Sequence, residues 1–188
     1  MGLWDALRGR TTPKAANLDA LFALPSAAMT LEAALDLHAT GAGSVCFRAA
    51  EGQASVLTQR DAADLIGADG GPPTTSRVDE YGYTWLTIRT DPPDMSGLVT
   101  DLHAVNTSLE QQGFGSGLLC SVVSFAGPAE TRLFVVYLYK QGTFYPFAPM
   151  DAHRRDDLRE RQIRDCVGAD LPIEPDLGRW MPLWGIQD

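Results

Sequence analysis

The chain has 188 residues, of which 45% are hydrophobic and 21% charged, and this composition is typical of a globular protein. Its 24 acidic and 15 basic residues give a formal net charge of −9, which argues against a general nucleic-acid binder because phosphate contacts need a basic surface. This length predicts one domain. We find no apolar run that predicts a membrane span, no signal-peptide pattern, and no zinc or disulfide motif among the cysteines. These features predict a reduced, cytoplasmic protein.

The first 14 residues form a short unit that differs in charge from the rest of the chain. Leu3, Trp4 and Leu7 fall on one side of a predicted amphipathic helix. This helix packs on its own domain, or lies on an anionic membrane with its cations toward the lipid phosphates. The sequence leaves both interpretations open, and it predicts a single domain over residues 15–188. The basic residues of the unit are Arg8, Arg10 and Lys14.

The spacing of apolar residues predicts the remaining elements. Leu98, Leu102, Val105 and Leu109 form one apolar stripe, which is the clearest helix signal in the chain, and Gly113 supplies a left-handed cap. In the first half of the chain we predict a helix over 17–38, with a break near Pro25, a cap at Thr30 and stops at Gly41 and Gly43. A strand at 44–49, a short helix at 60–66 and a hairpin over 76–90 with its turn at Tyr81 and Gly82 follow. In the second half we predict the helix 98–112, strands at 118–125, 132–139 and 143–147, and a charged helix over 151–167.

The order of these elements predicts an α+β fold. Strand-rich blocks are separated by single helices, which favours an antiparallel β-sheet of about five to six strands with helices packed mainly on one face. Pro146 and Pro149 cannot donate to a sheet ladder, so 143–147 is predicted as an edge strand. The tail from Leu171 onward is predicted to be irregular and anchored by Trp180 and Trp184.

Candidate catalytic chemistry is sparse. Asp101 and His103 lie two residues apart on the predicted helix and therefore do not share a face. A thiol dyad of Cys120 with His103 lacks the electropositive setting that lowers a thiol pKa. The glycine-rich segment 113–117 follows a helix and precedes a strand, the reverse of a phosphate-binding loop. We predict no catalytic residue, no metal and no cofactor.

Five aromatic residues between Tyr137 and Phe147 are the most unusual local feature. Surplus aromatic side chains near a sheet edge mark either a contact surface or core, and for Phe144, Tyr145 and Phe147 both interpretations stay open. The charged helix is either a solvated face or a docking face for a partner. The candidate partner-binding residues are Tyr139, Lys140, Phe144, Tyr145, Phe147, Arg155 and Arg159.

Several segments taken together identify a family. They are MGLWDALRGR at 1–10, GSVCFR at 43–48, YTWL at 83–86, LVTDLHAVN at 98–106, residues 137–149, and RWMPLWG at 179–185. With these segments the chain resembles, over nearly its whole length, the actinobacterial PspA-associated protein PspAB family. The order of elements is also similar to that of type III secretion chaperones and YbjN-like proteins.

The resemblance implies a non-enzymatic accessory or adaptor protein of the bacterial envelope, or phage-shock, stress response. The implied partner is a PspA-type protein or an HtpX-type membrane protease. From the residues we expect a cytoplasmic location, which is peripheral at the inner face of the cell membrane where the N-terminal helix lies on lipid. Two alternatives stay open. One is a small-molecule-binding or hydrolytic domain with a pocket near Asp101, His103 and Tyr139, and the other is a homodimeric chaperone-like module.

Overall fold

A computed structural model of the protein describes residues 17–48, 72–184 and 186. Within these residues the chain forms a six-stranded antiparallel sheet and three α-helices, which confirms the predicted α+β fold, and the sheet is not closed. The predicted helices at 1–14 and 60–66 lie outside the described residues. The strands are β1 (His38–Phe47), β2 (Thr75–Val78), β3 (Thr84–Arg89), β4 (Leu118–Gly127), β5 (Thr131–Leu138) and β6 (Thr143–Phe147). Their order in the sheet is β2-β3-β1-β4-β5-β6. The helices are α1 (Leu24–Leu35), α2 (Met95–Gln111) and α3 (Asp157–Val167), and a 3-10 helix (Leu18–Ala23) precedes α1.

The three helices contribute to one hydrophobic core on one face of the sheet, as predicted. The apolar stripe of α2, which includes Leu98 and Leu102, is fully buried there. A Cβ atom at Gly43 of β1 would lie 3.1 Å from the side chains of both leucines. Glycine at this position therefore allows α2 to pack closely against the central strand.

The prediction that Gly41 and Gly43 stop the first helix is wrong, because both lie inside β1. The helix ends earlier, at Asp36, which adopts a left-handed conformation with φ of 53°. Thr30 is not a cap either. It lies inside α1, and its hydroxyl donates to Asp170 Oδ2 at 2.8 Å. The hydroxyl that suggested a helix start is thus used to hold α1 to the segment that follows α3.

One apolar stretch corrects the statement that none is long enough for a membrane span. Residues Leu18–Leu35 have a mean hydropathy of 1.4 and, by length and composition only, could cross a membrane. In this fold Leu21, Leu24 and Leu31 are at most 1% exposed and belong to the core. The stretch therefore serves here as the helical cover of the sheet.

The C-terminal tail covers the second face of the sheet, and Trp180 and Trp184, which were predicted to anchor it, both contact rings of β6 there. The ring of Trp180 stacks on Tyr145 with centroids 6.0 Å apart, and Trp184 contacts Phe147 edge-on at 5.2 Å. Trp180 is 6% exposed. Trp180, Leu183, Trp184 and Ile186 thus complete a second, smaller core on the face that the helices leave open.

The tail also reaches the outer edge of β6. The Phe144 amide donates to the Pro172 carbonyl, and the Glu174 amide donates to the Phe144 carbonyl, each at 2.8 Å. The segment around Ile173 therefore forms a parallel bridge to β6. The prediction of 143–147 as an edge strand is confirmed by the place of β6 at the end of the sheet order, but the outer edge of β6 is bridged to the tail.

The described chain begins beside the turn between β5 and β6. The Tyr137 hydroxyl donates to the Asn17 carbonyl at 2.8 Å. A Cβ atom at Gly142 would lie 3.4 Å from Cβ of Asn17. The entry to the 3-10 helix is therefore fixed next to residues 140–142.

Candidate functional site

The aromatic side chains that were predicted as either core or contact surface belong to the core. Phe144, Tyr145 and Phe147 are at most 1% exposed. Phe144 joins the helix-side core, whereas Tyr145 and Phe147 join the tail-side core. An exposed aromatic edge at these three residues is thus a wrong interpretation, because the tail covers the face where surplus rings would otherwise meet solvent.

Arg155, predicted as a partner contact, is engaged inside the protein. Its Nε donates to Glu160 Oε1 at 2.9 Å, and its Nη1 donates to the Trp180 carbonyl at 2.6 Å. Glu160 is 2% exposed and also accepts from the Ala148 amide at 2.9 Å. Burial raises the pKa of Glu160, and the donors from Arg155 and Ala148 oppose this rise. The ion pair therefore fixes the tail to α3.

Asp101, His103 and Tyr139 do not form a common pocket. His103 Nε2 lies 3.6 Å from Asp19 Oδ1, beside the 3-10 helix. The Tyr139 hydroxyl donates to Glu110, which lies near the C-terminal end of α2. Burial of Asp101 raises its pKa, but Asp101 shares no described contact with the other two. This arrangement contradicts the proposed pocket, and the alternative of a ligand-binding or hydrolytic domain built on these residues is set aside.

An apolar cavity of about 340 Å³ opens on the sheet face opposite the helices. Its floor is formed by β1 and β4, and its walls come from the hairpin β2–β3, the turn at 140–141 and the tail. Two of the predicted contact residues, Lys140 and Tyr145, line it; Lys140 is exposed and supplies the only charged side chain of the described lining. The main apolar wall residues are Tyr83, Trp85, Leu138, Tyr145, Met181 and Leu183.

Specific hydrogen bonds hold the two walls of this cavity. The Tyr145 hydroxyl donates to the Met181 carbonyl at 2.8 Å and thereby places the tail. On the hairpin side, Trp85 Nε1 donates to Asp79 Oδ2 at 2.9 Å. Burial of Asp79 acts to raise its pKa, but the donors from Trp85, Tyr83 and Tyr81 outweigh it, and the net pKa is lowered. Asp79 therefore stays ionised and keeps the Trp85 ring in the wall.

The remaining predicted contact residues lie away from the cavity. Tyr139 is 7% exposed and faces the helix-side core. Arg159 is half-buried on α3, and its Nε has no hydrogen-bond partner among the described residues. The predicted membrane-surface residues Leu3, Trp4, Leu7, Arg8, Arg10 and Lys14 lie outside the described residues.

Sequence reasoning missed the cavity because it has no continuous signal. Its lining comes from segments that are up to 137 positions apart, between Cys46 and Leu183. The available signal was the pair Cys46 and Cys120, each inside an apolar strand, but their side-by-side placement depends on the register of β1 and β4. Over the described residues no group of three or more His, Cys, Asp or Glu side chains is placed to hold a metal ion.

Comparison with known proteins places the chain in a family. A family model described as PspA associated protein B matches residues 1–187. No curated protein and no solved structure matches the chain. The similarity of element order to type III secretion chaperones and YbjN-like proteins stays a prediction.

Proposed function

Since the chain belongs to the PspA associated protein B family, we propose that it is a non-enzymatic accessory protein of the phage-shock type of envelope stress response. The family description itself names an association with PspA. Our proposal goes further and assigns a direct protein partner of the PspA type. The apolar cavity between the hairpin β2–β3 and the tail supports this assignment.

The cavity has the chemistry of an anchor site for a protein side chain. Aromatic and aliphatic walls surround it, and Met181 lies at 60% exposure in its lining. Protein interfaces place apolar, aromatic and methionine side chains at their centre and charged groups at the rim. Lys140 is such a rim group here. We therefore expect a partner segment with a large apolar side chain next to an acidic residue.

A binding measurement with matched variants tests the proposal. Isothermal titration calorimetry compares the wild-type protein, Met181→Asp and Met150→Asp against a purified PspA-type protein. The two methionines are 60% and 61% exposed, and Met150 does not line the cavity. A charge in a buried interface anchor typically costs about 2 kcal/mol or more, so we expect Met181→Asp to weaken binding at least tenfold and Met150→Asp to leave it unchanged.

The outcomes distinguish an error in the identity of the partner from an error in the docking surface. Equal binding by the wild type and Met181→Asp contradicts the cavity as the docking surface. If the wild-type protein does not bind the PspA-type protein, this partner is wrong. Binding to an HtpX-type protease in the same assay then assigns the second partner that the resemblance implies.

We also propose that residues 1–14 bring the protein to the inner face of the cell membrane. Trp4 with Leu3 and Leu7 provides an apolar side, and the three basic residues that follow attract anionic headgroups. Co-sedimentation with anionic vesicles tests this placement, with neutral vesicles as the control. Equal sedimentation of the full chain and of a chain lacking residues 1–14 contradicts it.

A further inference from the structure

Two free cysteines face each other at the floor of the cavity. The register of β1 and β4 pairs Cys46 directly with Cys120, and both side chains belong to the tail-side core. Directly opposed residues of an antiparallel pair have Cα atoms about 4.5–5.5 Å apart. A disulfide accepts Cα separations of about 4.4–6.8 Å. A bond between the two sulfur atoms therefore requires little movement of the sheet.

The two thiols are buried but the cavity gives access to them. Cys46 is 3% exposed and Cys120 is 6% exposed, and both line the cavity. A small neutral molecule can reach them through this opening. The oxidant that suits this site is therefore small and uncharged.

The environment keeps the Cys46 thiol protonated in its resting state. The hydrogen bond with Cys120, together with burial, raises the pKa of the Cys46 thiol well above its usual range. Because the thiolate is the reactive form, the first oxidation is slow. The second step is intramolecular, because the partner sulfur already lies opposite, as in redox-sensing cysteines that have a resolving neighbour.

We propose that Cys46 and Cys120 form a dithiol site that a hydroperoxide such as hydrogen peroxide oxidises to a disulfide. One sulfur first attacks the peroxide bond, which yields a sulfenic acid and one water molecule. The second thiol then displaces the hydroxyl group, so that the disulfide forms and a second water molecule leaves. The two sulfur atoms together give up two electrons, and the peroxide is reduced to two water molecules. This site does not depend on the proposed partner.

The test uses the full chain with Cys166→Ser, which leaves both strand cysteines in place. Cys166 is a free, half-buried cysteine on α3, and its removal prevents disulfides through this third thiol. The folded protein is treated with hydrogen peroxide, then denatured, alkylated and digested for mass spectrometry. We expect a peptide pair joined through residues 46 and 120, the loss of both alkylation sites, and their return after treatment with dithiothreitol.

Single variants provide the control for the assignment. Cys46→Ser and Cys120→Ser, each combined with Cys166→Ser, should yield no peptide joined through residues 46 and 120, because the displacing thiol is absent. The proposal is overturned if the Cys166→Ser protein retains two alkylatable thiols after oxidation. It is also overturned if sulfinic or sulfonic acids accumulate on separate peptides without a disulfide, and neither readout involves the partner protein.

Discussion

Arg155 joins α3, β6 and the tail, and its replacement by methionine tests how the second face of the sheet is held closed. The guanidinium donates to Glu160 and to the Trp180 carbonyl, and it lies 5.4 Å from the ring centroid of Phe147. Methionine keeps an apolar stem over this ring but removes the charge and every donor. The variant thus isolates the polar contribution of the side chain.

The burial of Glu160 determines how much unfolding free energy we expect Arg155→Met to lose. Glu160 is 2% exposed, so Arg155→Met leaves a buried carboxylate without its cation. Removal of one partner from a buried ion pair typically costs about 3–5 kcal/mol. Because the Ala148 amide still donates to Glu160, we expect the lower end, about 3 kcal/mol of unfolding free energy. For a chain of this size this corresponds to a fall of about 6–12 °C in the unfolding midpoint.

The loss should depend on pH in a defined direction. Burial already holds the pKa of Glu160 above its usual value, and removal of Arg155 raises it further. Between the unfolded pKa of about 4.3 and the raised folded pKa, the folded variant binds more protons than the unfolded chain. Its stability therefore falls as the pH rises through this window. The gap to the wild type is widest near neutral pH and narrows as the pH is lowered.

Urea unfolding followed by tryptophan fluorescence measures this gap at several pH values between about 5 and 8. The matched control is Arg161→Met on the exposed face of the same helix, for which we expect a change within about 0.5 kcal/mol. If Arg155→Met is as stable as Arg161→Met, and the difference does not vary with pH, the ion pair does not hold the tail and the reasoning fails.

Two further predictions concern the backbone and one wall of the cavity. Gly41 and Gly82 both have left-handed φ values, +79° and +80°. A Cβ atom at Gly41 would lie 2.4 Å from the Thr90 carbonyl oxygen. A Cβ atom at Gly82 would have none of the described atoms within 4 Å. In urea unfolding we expect Gly82→Ala to cost about 1–2 kcal/mol and Gly41→Ala at least twice as much; equal losses contradict the close approach. The Trp85 indole N–H resonance should titrate with a midpoint below the ordinary aspartate pKa of about 3.9, because the pKa of Asp79 is lowered despite its burial. The stabilisation from Asp79 should be present above about pH 3.9 and disappear as the pH falls through the lowered pKa, and a midpoint at or above the ordinary value would refute this.

The spacing of apolar residues was sufficient to predict a helix that packs on the core with one face. The α2 helix was predicted from its stripe, and it spans Met95–Gln111 with Gly113 in the left-handed conformation. In this helix one apolar face packs on one core, so that the sequence pattern and the burial pattern have the same period. The strands β4, β5 and β6 are buried on both faces, and their apolar runs between turn residues located them closely.

Features that depend on distant segments could not be predicted in this way. Gly43 was interpreted as a helix stop, yet its small size serves the approach of α2, more than 50 positions away. Phe144, Tyr145 and Phe147 alternate between two cores, because the helices cover one face and the tail covers the other. A single-strand pattern does not show that both faces are covered. The cysteine pair depends on strand register, which a single sequence does not specify.

The contact of Asn17 with the turn at Gly142 limits how far the residues before Asn17 can extend from the cavity. Sixteen residues precede Asn17, and an extended chain spans at most about 3.3–3.6 Å per residue. Every one of these residues is therefore tethered within roughly 60 Å of the turn that carries Lys140 and Gln141 at the cavity. A membrane bound by residues 1–14, as proposed above, would therefore lie within this distance of the cavity, and the two binding events on one chain would reinforce each other. Weak binding at the cavity and weak binding by residues 1–14 would thus together give a higher overall affinity than either alone.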